Sequence, residues 1–430
     1  MWFERFSPVR LDYQQRGAMS SSNRSQFISA YLLSAVNVLG YSILIPVLPF
    51  VVEDYGAPEW VYGLLLSVYS FCQFVGATWL GKLSDRVGRK PVLLFSHFGT
   101  LCCWIIFGSA YFLQNEPYVL GLAYPLAIIL VARIVDGITG GNSAVAEAFI
   151  SDITNPEEKK TIFSTIGGVS GLGMIVGPGI GGFFASGSMG YLGTILFASC
   201  ISLGTLLFIS TYVRESLPPQ KRTSQSGPPW WYNLNLPKRL KNLDEVPIVR
   251  STLYIKMLFS ALMSIYVSTI VLFVIDLFEL NERDLGLFML MVGGFLAFNQ
   301  MVVVKRMMAT WGSEKTLQHG LLLATVGFFL ITQTDSLWVY VGFYYLLNLG
   351  IAMCIPTLNT ILAEHGKPET MGETMGISNG IMSLSYTFVP IIAAYTYGKI
   401  GYPIYWISAS LAFIGSLAVF NMRRQILTQS

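Results

Sequence analysis

The sequence predicts an all-α membrane protein with twelve transmembrane helices in two six-helix bundles. Three observations lead there. The 430 residues are 53% hydrophobic and only 12% charged, with a mean hydropathy of +0.56, where an ordinary soluble protein is about 25% charged. Twelve apolar runs have roughly the 20 residues that carry a helix across a hydrocarbon core of ~30 Å. A polar segment, 213 to 250, divides those runs six and six.

The runs follow from their flanks. The first, 26 to 52, stops at Glu53, and the second, 61 to 80, stops short of Lys82. The third, 92 to 113, opens after Lys90 and Pro91; the fourth, 122 to 151, ends before Asp152. The fifth, 161 to 186, follows Lys159 and Lys160, and the sixth, 191 to 212, precedes Arg214. The second set covers 252 to 278, 285 to 304, 316 to 333, 337 to 362, 373 to 397 and 402 to 421, mostly bounded in the same way. The first run is too long for a cleaved signal peptide and a second follows at once, so it is expected to stay in the protein.

Orientation follows from the basic residues, which stay on the cytoplasmic side. With both termini cytoplasmic, all 27 Lys and Arg fall inside except Arg133, Arg283 and Lys399, the group at 214 to 256 being the largest. The predicted organisation is a cytoplasmic tail (1–25), a bundle (26–212), a cytoplasmic linker (213–250), a second bundle (251–421) and a tail (422–430). The net charge of +3 is then a topology signal and implies no nucleic-acid partner. Trp230 and Trp231 beside Lys238, Arg239 and Lys241 suggest a linker segment lying at headgroup level. Cys72, Cys102, Cys103, Cys200 and Cys354 sit in apolar runs without ligand spacing and read as small hydrophobes.

A weak repeat supports the division. At an offset of 212, Pro156 matches Pro368, Glu157 matches Glu369, Gly168 matches Gly380 and Pro178 matches Pro390. Duplicated halves enclosing a midplane site are a common plan for secondary transporters.

Soluble chemistry finds little support. "GATWLGKL" at 76 to 83 has a phosphate-loop frame, but Leu83 stands where a magnesium-binding Ser or Thr belongs and no strand precedes it. His97, His319 and His365 have no partner spacing. No enzyme activity, cofactor or metal is expected.

"RIVDGITGGNSAVAE" at 133 to 147 puts Arg133, Asp136 and Glu147 inside the fourth run. On one continuous helix they lie within about 60° of each other, a single charged stripe. Each charge near the bilayer centre costs roughly 2.5–3.5 kcal/mol on insertion scales, so the stripe implies pairing or a wet cavity. Arg133 and Asp136, at i and i+3, are spaced to neutralise each other; a purely structural ion pair accounts for them as well. Glu147 is too far along the axis for Arg133; it either reaches headgroup water or is a carboxyl that exchanges a proton. Gln73, Asn299, Gln300, Asn348, Asn359, Asn379 and Tyr386 are further polar groups within runs. Singly they read as helix glue; together with abundant Phe, Met and Tyr they suit an amphipathic solute.

"GKLSDRVGRKPVLL" at 81 to 94 joins the second and third runs. A positive-inside anchor alone would explain its charges. Its pattern also resembles the signature loop of the major facilitator superfamily, and "ARIVDGITGG" and "GMIVGPGIGG" resemble the fourth- and fifth-helix motifs of the tetracycline-resistance branch of its drug:proton antiporters. The likeness is close over 30 to 212 and topological beyond; in the second-half loop "KRMMATWGSEK" the aspartate is missing.

The resemblance implies a monomeric, multi-pass cell-membrane transporter (the inner membrane in a bacterium) whose partners are a small molecule, protons and the bilayer. It implies a cytoplasmic gate of Gly81, Asp85, Arg86, Gly88, Arg89 and Asp152. In that gate Gly81 and Gly88 allow a sharp turn, and Asp85 accepts from the N-terminus of the eleventh helix. It implies close packing by Gly173, Gly177, Pro178, Gly181 and Gly182, and substrate or proton coupling by Asn37, Gln73, Arg133, Asp136 and Glu147. Asn37 stands where that branch carries a first-helix aspartate, so titration must move to Asp136 or Glu147. Facilitated movement of a polar solute, and a receptor that kept the fold without transporting, are the alternatives.

Overall fold

The computed structural model describes residues 21–114, 118–119, 121–154, 159–222, 236–243, 246–367 and 370–429. The tail before residue 21, Trp230 and Trp231, and the matched residues Pro156, Glu157, Pro368 and Glu369 lie outside the described residues. Apart from a two-residue hairpin, β1 (Tyr118–Val119) with β2 (Leu122–Ala123), the regular structure is helical.

The first half comprises α1 (Ser21–Ser42), α2 (Leu48–Asp54), α3 (Glu59–Val87), α4 (Arg89–Ser109), α5 (Tyr124–Gly140), α6 (Ser143–Ile153), α7 (Lys159–Ala185) and α8 (Tyr191–Tyr212). A short helix, α9 (Leu236–Asn242), lies in the linker. The second half comprises α10 (Pro247–Phe278), α11 (Glu282–Phe298), α12 (Lys305–Trp311), α13 (Ser313–Leu330), α14 (Leu337–His365), α15 (Met371–Ile400) and α16 (Ile404–Gln429).

Among the described residues, ten helical segments are long and apolar enough to cross a membrane. Two expected runs are not among these ten. The run 26 to 52 is split into α1 and α2 by a turn at 43–47, where Pro46 removes a backbone donor. The run 316 to 333 lies in α13, whose first two turns carry Glu314, Lys315, Gln318 and His319 and lower its apolarity. The fourth run is broken as well: Gly141 and Asn142 form a turn between α5 and α6, because two glycines and an Asn are poor helix formers. The eighth run holds a π-helical turn, Asn299–Val304, between α11 and α12.

Core packing sorts the helices into two groups. One large apolar cluster draws all its buried members from 43–198, another from 255–422. Within the first group α3 packs on α5, α1 on α7, and α4 on α5 and α8; within the second α13 packs on α14 and α16, and α10 on α15 and α16.

The groups meet along two seams, α3 with α15 and α7 with α11. Glycine makes each seam possible: a Cβ at Gly63 would overlap the Pro390 carbonyl, and one at Gly286 would crowd the Pro178 carbonyl. Pro178 and Pro390 are the pair matched at offset 212, so the same proline contact occurs once from each half. Ser67 Oγ adds a cross-half hydrogen bond, accepting from Ile391 N at 3.2 Å.

Candidate functional site

α5 carries two of the three fourth-run charges, Arg133 and Asp136, and small residues seat it deeply. A Cβ at Gly137 would overlap Cys72 and Tyr69 of α3, and one at Gly141 the backbone of Gly76 and Ala77. Close backbone approach of this kind packs helices without a side-chain interlayer. It draws Arg133 and Asp136 into the interior, 4% and 7% exposed.

The two form the expected i, i+3 pair, Arg133 Nη2 to Asp136 Oδ2 at 3.2 Å. The guanidinium also lies over the rings of Tyr69, Phe107 and Trp104, 5.5, 5.6 and 6.0 Å from their centroids. Aromatic faces attract a cation most strongly where water is excluded. Arg133 Nε is buried without a hydrogen-bond partner.

Beside the pair lies a cavity of about 310 Å³ walled by first-half residues. Asn37 and Tyr41 of α1, Tyr69 and Gln73 of α3, His97 and Trp104 of α4, and Asp136 and Asn142 reach its wall. Tyr41 stacks on Tyr69 with centroids 5.4 Å apart. Gln73 Nε2 donates to Tyr69 OH at 3.1 Å, and Asn142 Nδ2 to Asn37 Oδ1 at 3.4 Å. His97 Nε2, Trp104 Nε1 and Asn142 Oδ1 are buried without partners. A wall of aromatic faces with a few unused donors and acceptors can hold an amphipathic molecule and orient its polar part.

Asn37, Gln73 and Asp136 therefore share one cavity, with Arg133 directly behind. Glu147 does not join them. It sits on α6, beyond the turn at Gly141–Asn142, and is exposed. The charged stripe is interrupted at the turn: Arg133 and Asp136 lie on α5 and Glu147 on α6. His97, Trp104 and Asn142 were not singled out as cavity residues from sequence, because a lone His, Trp or Asn in an apolar run has no distinctive spacing.

The residues expected to form a gate gather at one end of the first half. Arg89 donates from Nη1 to Asp85 Oδ1 at 2.6 Å and to Ser84 Oγ at 2.7 Å, and from Nε to Asp152 Oδ2 at 3.0 Å. Glu215, which sequence reasoning passed over as linker, accepts from the backbone amides of Arg89 at 2.8 Å and Lys90 at 3.2 Å. A carboxylate at the first turn of α4 is favoured by the helix dipole and satisfies free amides.

Three details differ from expectation. The loop is a single residue, Gly88 at φ +112°, where Glu215 also fills the space a Cβ would need. Gly81 lies inside α3 with open space around it and makes no turn. Among the described residues Asp85 pairs with Arg89 of its own half and not with the N-terminus of α15; Arg86 is exposed.

The glycines of the fifth-run motif divide between two neighbours. Gly173, Gly177 and Gly181 face the end of α1 and the turn after it, where Ser42 Oγ donates to Gly173 O at 3.0 Å. Gly182 faces the other half, its Cβ position filled by Glu282 O, and the Pro178 carbonyl meets Gly286 beside it.

Comparisons with known proteins agree with this architecture. The family model of the Major Facilitator Superfamily matches residues 30–390 and 303–426. The class H tetracycline resistance protein of Pasteurella multocida is 25% identical over 376 residues, 85% of this chain and 87% of that protein. The class B protein of Escherichia coli is 25% identical over 411 residues, 93% and 96% of the two chains. The crystal structure of the human organic anion transporter MFSD10 (TETRAN) shares the fold, with a TM-score of 0.67 at 22% identity over 92% of this chain and 99% of that one.

Proposed function

The chain belongs to the Major Facilitator Superfamily, and from that premise we propose that it exports a lipophilic or amphipathic small molecule in exchange for protons, by alternating access. It is a multi-pass membrane transporter and not an enzyme. The observation that carries the finer reading is the buried Arg133–Asp136 pair, with Asp136 on the wall of an aromatic cavity and Arg133 behind it. A carboxylate there has a partner when charged, and on taking a proton it releases Arg133 to other ligands. With Asn37 unable to titrate, Asp136 is the proton-binding group of this cavity; Glu147 remains a relay between it and the surface. The names of the tetracycline-resistance relatives support efflux of a compound of this kind.

In the proposed orientation both termini are cytoplasmic, in a cell membrane (the inner membrane of a bacterium), and the protein works as a monomer. The division into a bundle at 26–212, a linker at 213–250 and a bundle at 251–421 gives the two bodies that rock. The Arg89 network is then cytoplasmic and the glycine–proline seams lie toward the outer side. Making and breaking the two seams alternates access, while Asp85 is free to exchange Arg89 for the N-terminus of α15.

Everted membrane vesicles test this directly. After ATP has acidified their interior, adding tetracycline or another amphipathic candidate is expected to dissipate the gradient only when the protein is present. A second reading, facilitated movement of a polar solute, draws on the amides of Asn37 and Gln73 at the cavity wall. It predicts counterflow of labelled solute with no pH signal.

A further inference from the structure

The second half carries a buried cation of its own. Lys256 is the tenth residue of α10, about 13 Å along the helix from its start at 1.5 Å per residue, and is 8% exposed. From sequence it counted with the cytoplasmic basic cluster. A lysine near a helix end ordinarily stretches its head toward the headgroups. Here the head turns inward instead: Nζ donates to Asn359 Oδ1 of α14 at 2.8 Å and to Ser378 Oγ of α15.

Both acceptors are neutral, and among the described residues no carboxylate lies within ion-pair distance of Lys256, whereas Arg133 has Asp136. An ammonium has three donors, so one N–H and the whole charge are left over. A buried charge without a counter-ion is costly and marks function inside a membrane. Asn359 is exposed beside this lysine, and ionisable residues within spans face the bundle interior or a water-filled cavity, which gives a solute its way in.

We propose that Lys256, oriented by Asn359 and Ser378, binds the anionic group, a carboxylate or sulfonate, of the transported solute. This deepens the amphipathic-solute reading and rests on it: the anion pairs with Lys256 in the second half while the apolar body takes up aromatic surface. Occupancy of the site neutralises the charge that the empty protein must bury, so the solute stabilises the state in which Lys256 is enclosed.

The test is binding of three matched probes, 2-naphthylacetate, 2-naphthylethanol and 2-naphthylethylammonium, to the full-length protein in phosphatidylcholine nanodiscs. No proton gradient is present, so failure of proton coupling would leave this result standing. The wild type is expected to bind the acid about ten-fold more tightly than the alcohol, the scale of one charge-assisted hydrogen bond. Lys256→Gln should remove that preference and leave the alcohol's affinity unchanged; Lys256→Arg, which keeps the charge, should retain most of it. The conservative variant and the wild-type preference keep the test decisive if Lys256→Gln fails to fold. A wild type that does not prefer the acid, or a glutamine variant that still does, overturns the proposal. So does loss of naphthylacetate binding when phosphatidylglycerol is added, which would reassign the site to a lipid headgroup.

Discussion

Arg133 and Asp136 are worth more as a pair than either is alone. Removing one partner of a buried ion pair leaves an uncompensated charge and costs about 3–5 kcal/mol, while replacing both by apolar residues is often near neutral. Arg133→Met should therefore lower the thermal midpoint of the detergent-solubilised protein far more than Arg133→Met with Asp136→Leu, and a larger loss in the double variant would contradict the pairing. Gly88 offers a second residue-scale test. At φ +112° and ψ 161° with Glu215 against it, Gly88→Ala strains the backbone by about 1–3 kcal/mol and displaces Glu215. A stability drop of that size or more is expected, and Glu215→Gln should reproduce part of it. The signature loop made Gly88 legible in the sequence. Glu215 was not, because nothing in a linker composition tells which acid will reach a helix terminus 126 residues away.

At the scale of helices, hydrophobic run length located most of the spans, and its failures have physical reasons. Pro46, Gly141 with Asn142, and the polar start of α13 interrupt helix or apolarity in ways a 20-residue window averages over. The Pro178–Pro390 match that hinted at a repeat in the sequence becomes a pair of seam contacts: Pro178 against Gly286 and Pro390 against Gly63. The backbone repeats even where chemistry does not. Gly312, at φ +78°, joins α12 to α13 as Gly88 joins α3 to α4, although the second loop has lost its aspartate. If the seams hold one face shut, Gly63→Ala or Gly182→Ala should wedge it open. In a chain whose native cysteines are replaced, cross-linking between cysteines introduced at Ser67 and Ile391 should fall several-fold in either variant. Unchanged cross-linking would mean that the seams yield without moving the halves apart.

For the whole molecule, the two halves divide the work: the first holds a neutralised ion pair beside an aromatic cavity, the second an ammonium with only neutral acceptors. Sequence alone made the first visible, since Arg133 and Asp136 stood inside an apolar run, and hid the second, since Lys256 lay at the edge of a basic cluster. Glu147 was legible as a charge but not as exposed: it lies on α6, past the turn at Gly141–Asn142, and not among the residues that line the cavity. In the proposed mechanism solute movement is coupled to protons through Asp136. The most direct measurement is solute-driven proton flux in liposomes reconstituted with the wild type, Asp136→Asn or Glu147→Gln. The asparagine variant is expected to lose proton flux by at least about ten-fold while solute counterflow persists, with a smaller loss for Glu147→Gln. Undiminished proton flux in Asp136→Asn would contradict it.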